Sequence, residues 1–134
     1  MTSETVHDVA VWLDHHEARI FRIERDSFDE STLRAPTHHV KRHPEHKAGE
    51  RSHPDDAKRF FREVARALDS AAEVLVVGPS TAKLQFLKFV HEHDLKLEQR
   101  IVGVETVDHP TDAQLAAFAR RYFHGFDRMR GRTP

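Results

Sequence analysis

The chain has 134 residues, twelve histidines and no cysteine, and its formal net charge at pH 7 is −1. This length is typical of one domain with a substantial core, so we expect a single domain over residues 1–134. The lack of cysteine excludes a disulfide framework, a thiolate zinc site and a cysteine nucleophile. No apolar run is long enough to span a bilayer and no secretory leader is evident, which predicts a cytoplasmic protein without membrane contact.

The first third of the chain predicts three β-strands. Apolar residues alternate with others over residues 9–13 and 18–23, and the polar turn Asp14-His15-His16 joins these two strands into a β-hairpin. Residues 26–30 are typical of a polar loop, and a third strand is predicted within residues 33–42, at an edge of the sheet.

Two of the predicted helices are marked by their first turns. Pro54 and the two aspartates after it suit a helix start, and an amphipathic stripe continues to about Ser70. After a strand over residues 101–107, Thr111 and Gln114 form a capping box for the last helix. The inward side of that helix is expected to consist of Leu115, Phe118, Ala119 and Tyr122.

The most apolar part of the chain lies between these helices. Residues 73–77 are rich in valine and end at Gly78-Pro79, which predicts a strand buried on both faces in the middle of the sheet. Ser80 is expected to cap a second helix, which ends within residues 91–94. Its inward side is predicted to carry Leu84, Leu87 and Val90.

The predicted order of elements is β-β-β-α-β-α-β-α. Three antiparallel strands followed by two parallel βα units form a mixed five-stranded sheet with helices on both faces, an α/β fold that resembles the ribonuclease H-like architecture. Residues 120–134 make a basic C-terminal tail with five arginines and one aspartate.

A nuclease of that architecture would hold divalent metal between carboxylates on the first strand, the first helix and the end of the buried strand. Asp14 and Glu63 could supply two of them, but the buried strand ends in Val77-Gly78-Pro79 without an acidic residue. A metal-dependent nuclease or hydrolase is therefore an alternative, and we predict no catalytic residue, no bound metal and no cofactor.

The turn after the buried strand, Gly78-Pro79-Ser80-Thr81-Ala82-Lys83, is similar to a phosphate-binding loop. A Walker loop has its second glycine directly before the lysine, where this chain has Ala82, so an ordinary strand-to-helix turn is favoured. The helix start can still attract an anion, with Lys83 adding positive charge.

Histidines and basic residues are concentrated between the third strand and the first helix. They are His38, His39, Lys41, Arg42, His43, His46, Lys47, Arg51 and His53, against Glu45 and Glu50. Three interpretations stay open: a solvated loop without a ligand, contact with an RNA backbone, and a metal site whose ligand set is undefined.

Four stretches together resemble a known family. They are Val11-Trp12-Leu13-Asp14, Ala18-Arg19-Ile20-Phe21, the turn from Val77 to Lys83, and the segment from Val102 to Asp112. They are similar to small bacterial proteins labelled translational machinery proteins, which are related to the middle domain of archaeal and eukaryotic class-one release factors and of Pelota. The resemblance covers nearly the whole chain.

The resemblance implies a translation factor that approaches the ribosome. In release factors, the loop between the third strand and the first long helix carries Gly-Gly-Gln, which positions water for peptide release. Residues 43–53 contain one glycine, Gly49, and no glutamine, so this catalysis is not carried over. We therefore predict a non-enzymatic protein that binds the ribosome or structured RNA, acting on idle or stalled ribosomes.

The residues predicted to contact RNA phosphates are His38, His39, Lys41, Arg42, His43, His46, Lys47, Arg51, Lys83, Arg128 and Arg130. A protein-interaction module or homo-oligomer that does not bind RNA is a further alternative.

Overall fold

The structure is a computed structural model that describes residues 7–36 and 54–129; at residues 54 and 126–129 it describes the backbone. Within these ranges the chain forms five strands and four helices, and none of the helices has the length and apolar character needed to cross a membrane. The strands are β1 (Asp8–Leu13), β2 (Glu17–Ile23), β3 (Phe28–Arg34), β4 (Val74–Gly78) and β5 (Ile101–Thr106). The helices are α1 (Pro54–Ala67), α2 (Ala82–His93), α3 (Leu95–Glu98) and α4 (Asp112–Met129).

The strands form one mixed sheet in the order β3-β2-β1-β4-β5. β1, β2 and β3 are antiparallel neighbours, whereas β4 runs parallel to both β1 and β5. The ribonuclease H-like topology predicted from the sequence is confirmed. The prediction that residues 73–77 form the middle of the sheet was wrong, because β1 occupies that place. β4 is nevertheless fully buried, since helices cover both faces of the sheet one strand away from its middle.

β1 and β2 form the expected hairpin, and Asp14 closes its turn. One carboxylate oxygen of Asp14, Oδ1, accepts hydrogen bonds from the backbone N–H groups of His16 and Glu17, at 2.8 and 2.9 Å. The Asp14 N–H donates to the carbonyl of Glu17 at 3.1 Å. A short polar side chain that satisfies backbone donors is what makes aspartate favourable in such a turn.

β3 begins earlier than the sequence predicts. The Glu24 N–H donates to the Ser27 carbonyl at 2.9 Å, which closes a short turn, and Phe28 pairs opposite Ile23. The Phe28 ring packs on Phe21 with the ring centroids 5.8 Å apart. The prediction of a polar loop over residues 26–30 was therefore wrong from residue 28 onward. An edge strand carries many exposed polar residues, so its sequence resembles a loop. The predicted edge position is confirmed.

Each face of the sheet has its own apolar core. On one face, side chains of β1 and β4 such as Val11 and Val76 pack under α1, α2 and α3. On the other face, Trp12, Leu75 and Val77 pack under α4. Alternation of side chains along β1 and β4 supplies both cores, which confirms the prediction of helices on both faces.

Of the three residues predicted for the inward side of α2, Val90 is buried and Leu87 packs against the core, whereas the prediction for Leu84 was wrong. Leu84 is 54% exposed and Leu87 is half-buried, whereas Ala82, Lys83, Phe86, Phe89 and Val90 are buried. The aromatic rings decide the orientation, because Phe61 of α1 contacts both Phe86 and Phe89 at centroid distances of 5.7 and 5.9 Å. The N-cap is Thr81 rather than Ser80, whose hydroxyl accepts only a long hydrogen bond of 3.4 Å from the Ala82 N–H.

α4 begins with the predicted capping box. The Thr111 hydroxyl accepts from the Gln114 N–H at 3.1 Å, and the Gln114 side chain accepts from the Thr111 N–H at 2.9 Å. Leu115 and Ala119 are buried as predicted. Tyr122 is half-buried over Gly103 of β5, and desolvation, together with the nearby Glu105 carboxylate, raises the pKa of its hydroxyl.

Candidate nucleic-acid interface

The carboxyl ends of the parallel strands β1, β4 and β5 lie at one end of the sheet. We call this end the carboxyl rim; it consists of the turns over residues 14–16, 79–81 and 107–111. β1 and β4 are neighbours, but the chain continues from them toward opposite edges of the sheet, from β1 to β2 and from β4 to β5. In open α/β sheets such a switch point at the carboxyl end is the usual place for a ligand.

The strands approach each other very closely at this switch point. A Cβ atom at Gly78 would lie 2.2 Å from the carbonyl oxygen of Leu13, which is too close for any side chain. Glycine is therefore required at this position of β4 for the close approach of two backbones.

Lys83 holds the turn that follows β4. Its Nζ donates a hydrogen bond of 2.7 Å to the carbonyl oxygen of Ser80, and the residue is only 6% exposed. The ammonium thus satisfies a backbone acceptor in the turn between β4 and α2. In the structure this ammonium stabilises the turn. The phosphate contact predicted for Lys83 stays a prediction.

Three exposed histidines stand at the carboxyl rim. His15 Nε2 lies 3.2 Å from Gln85 Oε1 of α2, and His16 follows it in the β1–β2 turn. The His109 ring lies over Trp12 with centroids 5.2 Å apart, and its Nδ1 is 2.9 Å from Asp108 Oδ1. These three histidines are not among the site residues predicted from the sequence. Their position directly after β1 and β5 is the signal that could have identified them.

Trp12 anchors the β5–α4 connection to the middle of the sheet. Its indole N–H donates to the Asp108 carbonyl at 2.8 Å, although the two residues are 96 positions apart. The Arg19 guanidinium lies 5.3 Å from the Trp12 ring centroid and forms an ion pair with Asp112. The rim on the α4 face is therefore rigid, because an aromatic ring, a guanidinium and a carboxylate fix one another.

Most of the predicted RNA-contacting residues lie outside the described residues. These are His38, His39, Lys41, Arg42, His43, His46, Lys47, Arg51 and Arg130. Arg128 is in the last turn of α4, where only the backbone is described. Their contacts with RNA therefore stay predictions.

The residues on both sides of segment 37–53 do lie at the carboxyl rim. The Ala35 N–H, just after β3, donates to the His16 carbonyl at 2.8 Å. The other flank is α1. Arg100, next to the amino end of β5, donates to the Asp69 carbonyl just beyond the end of α1, at 3.1 Å. Because α1 ends at the amino end of β5, its start at Pro54 is at the opposite, carboxyl end of the sheet.

The two carboxylates considered for metal catalysis have other positions. Asp14 uses Oδ1 to close the hairpin turn, and Glu63 is exposed on α1. Within residues 7–36 and 54–129, no three histidine, aspartate or glutamate side chains are grouped so that they could hold a metal ion. No described contact brings Asp14 and Glu63 together.

Comparison of the sequence with family models finds no match, and comparison with curated protein sequences finds none either. Comparison of the structure does find similar proteins. The crystal structure of Pelota from Archaeoglobus fulgidus superposes with a TM-score of 0.61 at 19% identity, over 86% of this chain and 31% of that protein. An archaeal translation termination factor, aRF1, superposes with a TM-score of 0.56 at 15% identity, over 92% of this chain and 41% of the factor.

Dom34 from S. cerevisiae, a translation termination-like factor involved in RNA quality control, superposes with a TM-score of 0.56 at 7% identity, over 83% of this chain. The chain spans about a third of the length of Pelota and of Dom34, at 31% in each case. These similarities show that its fold is that of a release-factor-like domain.

Proposed function

We propose that this protein is a non-enzymatic translation factor that binds the ribosome through RNA and belongs with the small bacterial proteins of release-factor ancestry. The observation that carries the proposal is the match of 83–92% of the chain to one domain of Pelota, aRF1 and Dom34. The chain contains five glycines and no two are adjacent, so a Gly-Gly-Gln sequence for peptide release does not occur in it. The function that fits is occupancy of an idle or stalled ribosome.

The carboxyl rim supports this proposal with its location and its chemistry. The segment with eight of the predicted RNA-contacting residues is joined to the fold at this rim on both sides. Exposed imidazoles of His15, His16 and His109 stand on the same rim. α1 and α2 both begin there, and the positive ends of their dipoles favour an anion such as a phosphate.

The test is co-sedimentation of the purified protein with bacterial ribosomes over a series of salt concentrations. Contact with RNA phosphates predicts binding at about 50 mM salt that weakens steeply by about 200 mM, because each neutralised phosphate releases counterions. The variant Lys41→Glu/Arg42→Glu should bind more weakly and reduce the slope of log affinity against log salt by about one for each lost contact.

The matched control is Arg25→Glu/Arg121→Glu, which changes the net charge equally at two exposed arginines outside segment 37–53. It should bind as the unmodified chain does. A protein that stays out of the ribosome fraction even at the lowest salt concentration would contradict the proposed function.

The outer edge of β5 supports a second candidate function, a module that binds another protein or a second copy of itself. In the part of the chain that the structure describes, β5 pairs with β4 alone. Its sequence, Ile-Val-Gly-Val-Glu-Thr, has one charged residue, whereas the opposite edge strand, β3, carries Asp29, Glu30 and Arg34. Charges on an edge strand discourage pairing with another chain, and β5 has little of this protection.

Light scattering at increasing protein concentration tests this second candidate. A dimer that is disrupted by Thr106→Pro would support pairing at the β5 edge. Thr106 is exposed, and its N–H points away from β4 because that of the next residue, Val107, donates to Gly78 of β4. The second candidate would be excluded if the protein is a monomer at every concentration and if the immobilised protein captures no other protein from a lysate cleared of ribosomes.

A further inference from the structure

A groove runs between α1 and α2 on the face of the sheet opposite α4. It has a volume of about 180 Å³ and is lined by side chains of both helices, among them Lys58, Lys88, Phe89, Glu92 and His93. The two helices pack side by side through Phe61 of α1, which contacts Phe86 and Phe89 of α2.

Exposed cations line this groove and the part of α1 next to it. Lys58, Arg62 and Arg66 follow one another at spacings of four residues on α1, and all three are exposed. Among the described residues none of the three forms an ion pair, and neither does Lys88 of α2. Like charges four residues apart repel each other and destabilise a helix. An external anion bound beside them would reduce this repulsion.

The Phe89 ring lies close to two basic side chains. The Arg62 guanidinium lies 6.0 Å from the ring centroid, and the His93 ring packs against it in a tilted orientation with centroids 4.6 Å apart. Arg62 is not itself a lining residue, but this contact places it beside the groove. A guanidinium held against an aromatic ring keeps its N–H donors free in a defined plane, which suits two-pronged contact with a phosphate. Phe89 itself is only 7% exposed, so the ring is a rigid support.

We propose that the groove between α1 and α2 is a docking surface for the phosphate backbone of RNA, with Lys58, Arg62 and Lys88 as the phosphate-binding residues. Residues four apart on a helix are separated by about 6 Å along the axis. This is close to the separation of successive phosphates along a nucleic-acid strand. Among the described residues that line the groove, Lys58 and Lys88 outnumber the one carboxylate, Glu92, so the groove is cationic.

On the α1 side the lining begins at Lys58, the fifth residue of the helix. The inference rests on the proposed function and makes it more specific: the groove of the protein contacts the phosphate backbone of the RNA.

Two charge-reversal variants with the same net charge test the inference. The first is Lys58→Glu/Arg62→Glu in the groove, and the control is Arg25→Glu/Arg121→Glu, in the β2–β3 turn and on α4. Binding is measured with purified ribosomes by co-sedimentation and with a fluorescein-labelled single-stranded RNA by anisotropy. Circular dichroism and thermal unfolding of each variant establish that it is folded.

The groove variant should bind both probes about tenfold more weakly at about 50 mM salt, with a salt slope reduced by about 1.5 to 2, whereas the control should match the unmodified chain. Equal weakening by both variants would overturn the inference, because net charge alone would then explain the loss. If oligo-glutamate displaces the labelled RNA as effectively as unlabelled RNA does, the inference would also be overturned, in favour of an acidic protein partner.

The two proposals fail in different ways. If the unmodified chain binds ribosomes and the groove variant binds equally well, the docking surface is wrong and the proposed function stands. If the unmodified chain binds neither ribosomes nor RNA, the proposed function fails and the inference fails with it. Binding of RNA through the groove without binding of ribosomes would uphold the docking surface and contradict the ribosomal role.

Discussion

The two faces of the sheet use their basic residues in different ways. On the α4 face, Arg19 stacks on Trp12 and pairs with Asp112, and its side chain is 17% exposed. Arg120 of α4 donates to the carbonyls of Glu24 and Ser27 at 3.1 and 2.8 Å. These guanidiniums connect elements of the fold, because each one satisfies acceptors from a different strand or turn.

On the α1–α2 face, Lys83 also donates to a backbone carbonyl, but three exposed cations have no such acceptor among the described residues. Lys58, Arg62 and Lys88 form no ion pair with any described residue, although Arg59 of the same helix does pair with Asp56 at 3.4 Å. A lysine or arginine that bonds to other parts of the fold stabilises the structure, whereas one without such a partner can bind an external anion. Substitution of Arg19 or Arg120 should therefore reduce stability, and substitution of Lys58, Arg62 or Lys88 should reduce binding of RNA.

The largest effect on stability is expected for Trp12→Ala. The side chain is 1% exposed in the core of the α4 face and its N–H holds the β5–α4 connection. The free energy of unfolding should fall by about 3–5 kcal/mol, as for other large-to-small core substitutions. Urea unfolding measures it. Trp12→Phe should lose clearly less, and equal losses for both would show that ring packing contributes little.

A smaller loss is expected for Arg19→Met, which keeps the apolar stem and removes the guanidinium. The cation–π contacts with Trp12 and Phe21 and the pairing with Asp112 should together contribute about 1–2 kcal/mol. Arg121→Met, at an exposed arginine of α4, is the matched control and should change stability by less than about 0.5 kcal/mol. A loss of the same size in both variants would refute the structural role given to Arg19.

A loss of about 0.5–1 kcal/mol is expected for Arg120→Met, because two exposed hydrogen bonds to the carbonyls of the β2–β3 turn disappear. Hydrogen exchange should show faster opening of residues 24–27, with little change in β4. Uniform faster exchange over the whole sheet would mean that Arg120 acts on global stability instead.

The smallest effect on stability is expected for Arg62→Met. The side chain is exposed and forms no ion pair with a described residue, so the free energy of unfolding should change by less than about 0.5 kcal/mol. RNA affinity, measured by anisotropy, should nevertheless fall severalfold, and the salt slope by about one. Unchanged affinity together with reduced stability would place Arg62 with the structural cations of the other face.

Much of the fold was predictable from the sequence, for identifiable reasons. The valines of β4 and the Gly78-Pro79 pair after them give a strong signal, and the Thr111–Gln114 capping box marks the start of α4 by its side-chain chemistry alone. The resemblance to release factors and Pelota also agrees with the fold that the structural comparisons show.

The errors came from information that local sequence does not contain. The orientation of α2 is decided by packing of Phe86 and Phe89 on Phe61 across two helices, so a leucine at helical spacing, Leu84, points to solvent. The start of β3 depends on pairing with β2, which an exposed edge sequence does not reveal. Whether a lysine or arginine is paired or free is likewise a property of the assembled fold, as Lys83 and Arg62 illustrate.

The most direct test of the account is ultraviolet cross-linking of the unmodified protein to bacterial ribosomes, followed by identification of the cross-linked peptides. We predict cross-links to ribosomal RNA in peptides from segment 37–53 and from the α1–α2 groove, around Lys58, Arg62 and Lys88, and none from the exposed side of α4 over residues 112–119, before the basic tail. Cross-links confined to residues 112–119, or no cross-link to RNA at a salt concentration where the protein sediments with ribosomes, would contradict it.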